Sequence, residues 1–256
     1  MKKILFFDVD GTLYNSDKKL PASAKDAIFK ARENGHEIAI ATGRAPFRIK
    51  DIMEELQIDT YVTFNGQYVV YQGEVVYTDQ IDNETLTEIL EFGAQRNHPL
   101  VFLNEKEMIA SESDYESVES SLATLQYPYP QIDPQYYLHT PVYQTLVFIE
   151  EKEQPIYEQQ FPRVQFIRWH PFSCDVLPDG GSKANGIRKL LEHIDVPVED
   201  VITFGDGLND IEMLSEFGYS VAMENGHERA KEVASMITGH VDNDGLADAM
   251  KKLKLI

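Results

Sequence analysis

Short apolar runs that stop abruptly at polar clusters constrain this chain more than any other feature. Lys3 to Phe7 is apolar after its first residue and stops at Asp8. Ile38 to Ala41 stops at Thr42, and Val201 to Phe204 stops at Gly205-Asp206. Runs of this length without alternation suit strands covered on both faces. Helical spacing lies between them. Ala22 to Asn34 places Ala24, Ala27, Ile28 and Ala31 on one side, with Pro21 opening the segment and Gly35 closing it. Ile49 to Leu56 reads as a second helix and Tyr61 to Phe64 as a third strand. Asn65-Gly66 is a turn signal, and Gln67 to Tyr71 with Glu74 to Tyr77 reads as a hairpin about Gln72-Gly73. The last third repeats the alternation, with helices over 183–194, 211–217, 228–234 and 246–253 and strands over 201–204 and 219–222. The expected fold class is α/β: a three-layer, doubly wound parallel sheet with helices on both faces.

The middle of the chain has a different grammar. Its order is helix, two strands, helix, strand, helix, two strands, with the last three over 154–160, 164–169 and 172–177, and adjacent strands look antiparallel. Residues 127–134 form a Pro- and Tyr-rich loop. The expected organisation is a core domain over 1–80 and 182–256, interrupted by an inserted α+β domain over 81–181, since exposed loops tolerate insertion.

Composition narrows the function classes. The formal charge of −20 argues against nucleic acid and anionic membranes as partners, because both are polyanions. No apolar run approaches the roughly 18 residues of a membrane helix, and Asp8 and Asp10 break the faint N-terminal resemblance to a signal peptide. The single cysteine, Cys174, has no partner within the chain and sits in an apolar run, so it reads as a small buried hydrophobe. A cytoplasmic location is expected, as a monomer or a dimer.

Four clusters stand at the carboxyl ends of the expected core strands, the edge at which open α/β sheets bind ligands. The first is Asp8-Val9-Asp10-Gly11-Thr12. Its two carboxylates leave a strand end in different directions, so one can attack phosphorus and hold a metal while the other carries a proton; an acidic, Gly-containing turn is the competing local reading. The second is Thr42-Gly43-Arg44, a hydroxyl and a bare amide suited to an anionic oxygen, or simply a helix cap. The third is Lys183 after Asp179-Gly180-Gly181-Ser182. A lysine opening a helix is opposed by the helix dipole, which argues for a role beyond the surface. The fourth is Gly205-Asp206-Gly207-Leu208-Asn209-Asp210, whose clustered carboxylates suit Mg²⁺, though a capped helix at Asn209 would also explain it.

In order and placement these clusters resemble the haloacid dehalogenase superfamily, and more narrowly its Cof-type phosphatases with an inserted α/β cap. Met213 and the tail Ala222-Met223-Glu224-Asn225 leading to Asp244-Gly245 belong to the same resemblance. It implies a phosphatase that hydrolyses a phosphate monoester of a small metabolite (a sugar, nucleotide or cofactor phosphate) through an aspartyl phosphate on Asp8. Asp10 would be the acid/base. Mg²⁺ would lie between Asp8, the backbone carbonyl of Asp10, and Asp206, with Asp210 binding it directly or through water. Val9, Thr42, Gly43, Lys183 and Asn209 would hold the transferring oxygens. Arg44 and Asn65 are candidates for the substrate, and the cap would close over the site and choose the leaving group. Arg168, Trp169 and His170, like Tyr136 and Tyr137, could face the substrate or belong to strands and loops of the cap. The alternatives are a phosphomutase of the same superfamily, disfavoured because the inserted region lacks a cluster of Arg or Lys, and a non-catalytic phospho-accepting or binding module, disfavoured because Asp8, Asp10 and Asp206 are all present.

Overall fold

The computed structural model describes residues 2–256. The chain forms two compact units, one from the segments ending at Arg44, over Arg48–Tyr77 and over Ser182–Ile256, and one from Ala45–Phe47 and Thr78–Gly181.

The first segment runs through β1 (Ile4–Phe7), α1 (Ala22–Glu33), β2 (Glu37–Ala41), α2 (Lys50–Leu56), β3 (Tyr61–Thr63), β4 (Tyr68–Tyr71) and β5 (Glu74–Thr78). The second unit carries α3 (Asn83–Ala94), β6 (Leu100–Leu103), β7 (Met108–Ala110), α4 (Glu116–Thr124), β8 (Gln131–Ile132), β9 (Gln144–Val147), α5 (Gln154–Gln160), β10 (Val164–His170) and β11 (Ser173–Pro178). The chain then returns to the first unit with α6 (Lys183–Ile194), β12 (Val201–Gly205), α7 (Ile211–Glu216), β13 (Tyr219–Ala222), α8 (Glu228–Val233), β14 (Met236–Ile237) and α9 (Gly245–Lys252).

The first unit is built on an eight-stranded sheet in the order β14-β13-β12-β1-β2-β3-β4-β5. The pairs from β14 across to β3 are parallel, and β4 joins β3 antiparallel, so the doubly wound sheet ends in an antiparallel edge. The unbroken apolar runs are explained by two cores. Leu5 and Phe7 pack with Ala24, Ala27, Ile28, Ile52, Leu246 and Met250 on the α1, α2 and α9 side. Ile4 and Phe6 point the other way, onto Ala184, Ile187, Leu190 and Met213 of α6 and α7. Each Leu, Ile, Phe or Met among them contributes roughly 1.5–3 kcal/mol when fully buried. The order places β1 between β2 and β12, the point where the winding reverses and where open sheets hold ligands.

The second unit has a six-stranded sheet in the order β10-β11-β9-β6-β7-β8. Leu100, Phe102, Val147, Phe166, Cys174 and Val176 form its core with Leu86 and Ile89 of α3 and Tyr157 of α5. Two expectations need correction. The Pro- and Tyr-rich segment is not entirely loop, because Gln131 and Ile132 form β8, and β8 pairs with β7 parallel rather than antiparallel. The other neighbouring strands are antiparallel. In the first unit, β14 was absent from the expected elements for the same reason: two residues leave no readable period. Among the described residues, no helix is long and apolar enough to cross a membrane.

Candidate active site

The carboxyl ends of β1 and β12 are adjacent, and the site is built on that adjacency. Phe7 is in register with Phe204, their rings stacked at 4.6 Å. The Asp8 amide continues the ladder by donating to the Phe204 carbonyl at 2.9 Å. Asp8 and Asp206 therefore leave neighbouring strands at nearly the same level. The chain then turns back, the amides of Leu13 and Tyr14 both donating to the Val9 carbonyl. Gly11 in this turn has φ +79°, and a Cβ there would lie 2.3 Å from Asp206 Oδ2. Only glycine lets the two loops approach this closely. Thr12 Oγ1 donates to Asp206 Oδ1 at 3.2 Å.

Asp210 is fully buried and accepts from the amides of Asp206 and Gly207 on one oxygen, at 2.9 and 2.8 Å. Its other oxygen receives Lys183 Nζ at 2.6 Å, and the same ammonium donates to Asp8 Oδ1 at 2.6 Å. Lys183 is the first residue of α6 and 0% exposed. Its helix is capped by the Ser182 side chain, which accepts from the Asn185 amide. Placement at the unfavourable end of a helix is thus explained by two carboxylate partners. Burial alone would lower the Lys183 pKa, but Asp210 and Asp8 reverse that and raise it.

Asp8, Asp206 and Asp210 each offer an oxygen within 4.8 Å of the others. One ammonium does not neutralise three carboxylates. Burial raises Asp8 well above the usual carboxylate range against the pull of Lys183, with Asp210 and Asp206 adding to the rise. Asp206 is pushed up to about 6 by burial and by Asp210. A hard, oxygen-only donor set with surplus negative charge fits a divalent cation such as Mg²⁺.

Asp10 differs from its neighbours. Its carboxylate is 55% exposed and lies outside that group. Arg44 grips it at both oxygens, Nε to Oδ2 at 2.7 Å and Nη2 to Oδ1 at 2.5 Å. The guanidinium also donates to the Arg48 carbonyl and lies over the Tyr14 ring. Arg44, expected to hold substrate, is thus engaged with the candidate acid/base.

The second cluster forms a turn rather than a helix cap. The Thr42 amide donates to the Val62 carbonyl at 2.9 Å, and Thr42 Oγ1 accepts from the Arg44 amide at 3.2 Å. Asn65, in a left-handed conformation with φ 50°, returns its amide to the Thr42 carbonyl. A Cβ at Gly43 would stand 3.0 Å from the Asn65 amide group, and Asn209 Nδ2 donates to Asn65 Oδ1 at 3.0 Å. Asn65 therefore links the turn after β2 to the turn after β12, and Asn209 is bound to it rather than capping α7.

Of the residues singled out in the second unit, Arg168, His170, Tyr136 and Tyr137 make hydrogen bonds within that unit. Arg168 donates to Gln154 Oε1 and to the carbonyls of Ile149, His170 and Pro171. His170 Nδ1 lies 2.9 Å from Ser121 Oγ. The Tyr136 hydroxyl meets Asn104 and Glu107, and that of Tyr137 meets Thr87. Trp169 Nε1 is buried with no hydrogen-bond partner among the described residues. Reasoning from sequence missed the Arg44–Asp10 pair and the seating of Asp206 against Gly11 and Thr12. The order Asp-Gly-Thr was the available signal for the second.

The sequence pattern of the haloacid dehalogenase-like hydrolases matches residues 5–250. The Bacillus subtilis (strain 168) protein named "Putative phosphatase YkrA" is 39% identical over 254 residues, covering 99% of this chain and 98% of that one. Among solved structures, a hypothetical protein of Geobacillus kaustophilus HTA426 matches with a TM-score of 0.97 and 44% identity, each chain covered in full. The sugar phosphatase BT4131, of haloacid dehalogenase subclass IIB, matches with a TM-score of 0.85 and 30% identity, again over the whole of both chains.

Proposed function

The chain belongs to the haloacid dehalogenase-like hydrolases as a phosphatase of that superfamily, and from that premise we propose that it hydrolyses a small phosphorylated metabolite through an aspartyl phosphate on Asp8. The observation that carries this is the environment of Asp8: buried at the end of β1, 2.6 Å from the Lys183 ammonium, and grouped with Asp206 and Asp210. A carboxylate so placed is held in one orientation and screened from bulk water.

In the first transfer, an Asp8 oxygen bonds to phosphorus while the bond to the leaving oxygen breaks, and Asp10 gives that oxygen its proton. In the second, water attacks phosphorus, Asp10 takes the water proton, and the acyl–phosphate bond breaks to free Asp8 and phosphate. Lys183, the Val9 and Gly43 amides, Thr42 and Asn209 hold the non-bridging oxygens, and Asn65 sets Asn209. Asp8, the Asp10 carbonyl, Asp206 and Asp210 would hold Mg²⁺, which would supply the positive charge that offsets repulsion between two anions. The bidentate Arg44 contact supports an orienting role for it toward Asp10. We assign choice of substrate to the inserted region, near 81–181. The sugar-phosphatase relative makes sugar phosphates the first compounds to try, with nucleotide and cofactor phosphates beside them.

The test is phosphate release from a panel of phosphorylated metabolites with Mg²⁺, with Asp8→Asn alongside. We expect release by the parent, its loss in Asp8→Asn and in excess chelator, and recovery when Mg²⁺ is added back. Normal turnover by Asp8→Asn would remove the nucleophile from the scheme, and full activity in chelator would remove the metal.

A further inference from the structure

We propose that Asn225 is a positioning residue for the Mg²⁺ site, fixing the spacing between the loop that carries Asp8 and the loop that carries Asp206; the inference rests on the metal-dependent reading above. The Asn225 side chain is used at both ends. Nδ2 donates to the Gly11 carbonyl at 2.8 Å, and Oδ1 accepts from the Val241 amide at 2.9 Å. Its neighbours hold the other loop. The His227 amide donates to the Asp206 carbonyl at 2.7 Å, and a Cβ at Gly226 would stand 2.9 Å from that same carbonyl. Three consecutive residues after β13 thus touch Gly11 on one side and Asp206 on the other.

Gly11 is the place where a small displacement would matter. Asp206 Oδ2 lies against its Cα face so closely that a Cβ would meet it at 2.3 Å, and Thr12 binds Oδ1 of the same carboxylate. Gly11 lies three residues beyond Asp8 in the same turn. Moving its carbonyl changes where the Asp206 carboxylate can sit relative to the Asp8 oxygens. Mg²⁺ requires near-octahedral oxygens at about 2.1 Å, so tenths of an ångström alter its affinity. Side chains that orient ligands in this way influence metal binding without touching the metal. A second stitch joins the Asp8 turn to the C-terminal loop farther out: Asp242 accepts from the Ser16 amide and hydroxyl at 2.9 and 2.7 Å. It provides the comparison that separates positioning from general loop stability.

The experiment is calorimetric titration of the 256-residue chain with MgCl₂ alone, comparing the parent with Asn225→Asp, Asn225→Ala and Asp242→Ala. Asn225→Asp keeps the shape and the acceptor for Val241 but turns an oxygen toward the Gly11 carbonyl. Both Asn225 variants should bind Mg²⁺ about tenfold or more weakly. At saturating Mg²⁺ they should keep the parent KM for a phosphorylated substrate. Asp242→Ala should melt at a lower temperature with the parent Mg²⁺ affinity. Parent affinity in both Asn225 variants overturns the inference, as does equal weakening in Asp242→Ala. Failure of both Asn225 variants to fold overturns it too, because the residue then serves the fold. If the parent itself binds no Mg²⁺, the metal reading above falls and takes this inference with it.

Discussion

A lysine ammonium without solvent exposure loses its hydration, and in this chain the loss is offset by two carboxylates at 2.6 Å. Removing one member of such a group leaves uncompensated charge behind. Lys183→Met should therefore lower stability by about 3 kcal/mol in urea titrations without metal. Mg²⁺ should restore more of the loss than it adds to the parent, because it supplies the missing positive charge. A change under about 1 kcal/mol would show that Asp8 and Asp210 do not depend on the ammonium. Cys174 offers a pH-dependent counterpart. Its thiol is fully buried and pushed up to about 11 by that burial. The folded state therefore resists ionisation that the unfolded chain permits, so this contribution to stability is complete below the thiol's ordinary range and is lost as pH climbs toward 11. At about pH 8 the native chain should give no thiol reaction with a disulfide reagent, and one equivalent should react in guanidinium. At this scale the site was readable where chemistry is local in sequence. Asp8, Lys183, Asp206 and Asp210, which the structure brings together, were legible because each follows a strand or opens a helix. The Arg44–Asp10 pair was not found, since it joins side chains 34 residues apart and no local pattern encodes it.

At the scale of elements, the close seating of α6 against the turn between β3 and β4 places Lys183. Gly186 in α6 lies where a Cβ would meet Val62 Cγ1 at 2.5 Å and Gly66 Cα at 2.7 Å. Gly66, with φ +103°, lies under the Ser182 carbonyl so tightly that its own Cβ would stand 2.1 Å away. The helix therefore rests on two glycines, one from each side. Gly186→Ala should cost about 1–3 kcal/mol by overpacking, although alanine is the better helix former. It should also slow turnover by shifting Lys183, which stands one turn before it. Thermal melts and steady-state rates on the same preparation check both, and an unchanged melting temperature would mean the helix can step back. Helices and buried strands were legible because their periods extend over many residues. Gln131–Ile132 and Met236–Ile237 were not, because two-residue strands are defined by their neighbours and not by their own composition.

Across the molecule the charge is uneven. Residues 78–181 carry 18 Asp and Glu against five cations, Arg96, Lys106, Lys152, Arg163 and Arg168. Arg163 pairs with Glu84 and Glu88, Lys106 with Glu105 and Lys152 with Glu150. A net charge of −20 opposes the approach of a phosphate, whereas Lys183 and Arg44 act at short range. Raising ionic strength from about 0.02 to 0.2 M shortens the Debye length from roughly 20 Å to below 10 Å. For a dianionic substrate at saturating Mg²⁺, kcat/KM should rise over that range. A fall would mean that the site's own positive field, and not the −20 of the chain, governs capture.

The interruption of the first unit also sets a timetable for synthesis. Asp8 and Lys183 are 175 residues apart, and β12, which flanks β1, lies farther on still. A ribosome adding about 5–20 residues per second exposes Asp8 roughly 10–35 seconds before it delivers the ammonium. All six strands of the sheet of residues 78–181 are made within that interval, the last of them, β11, ending at Pro178 just ahead of Lys183. The Asp8 carboxylate is the first part of the site to be made and among the last to be surrounded by its partners.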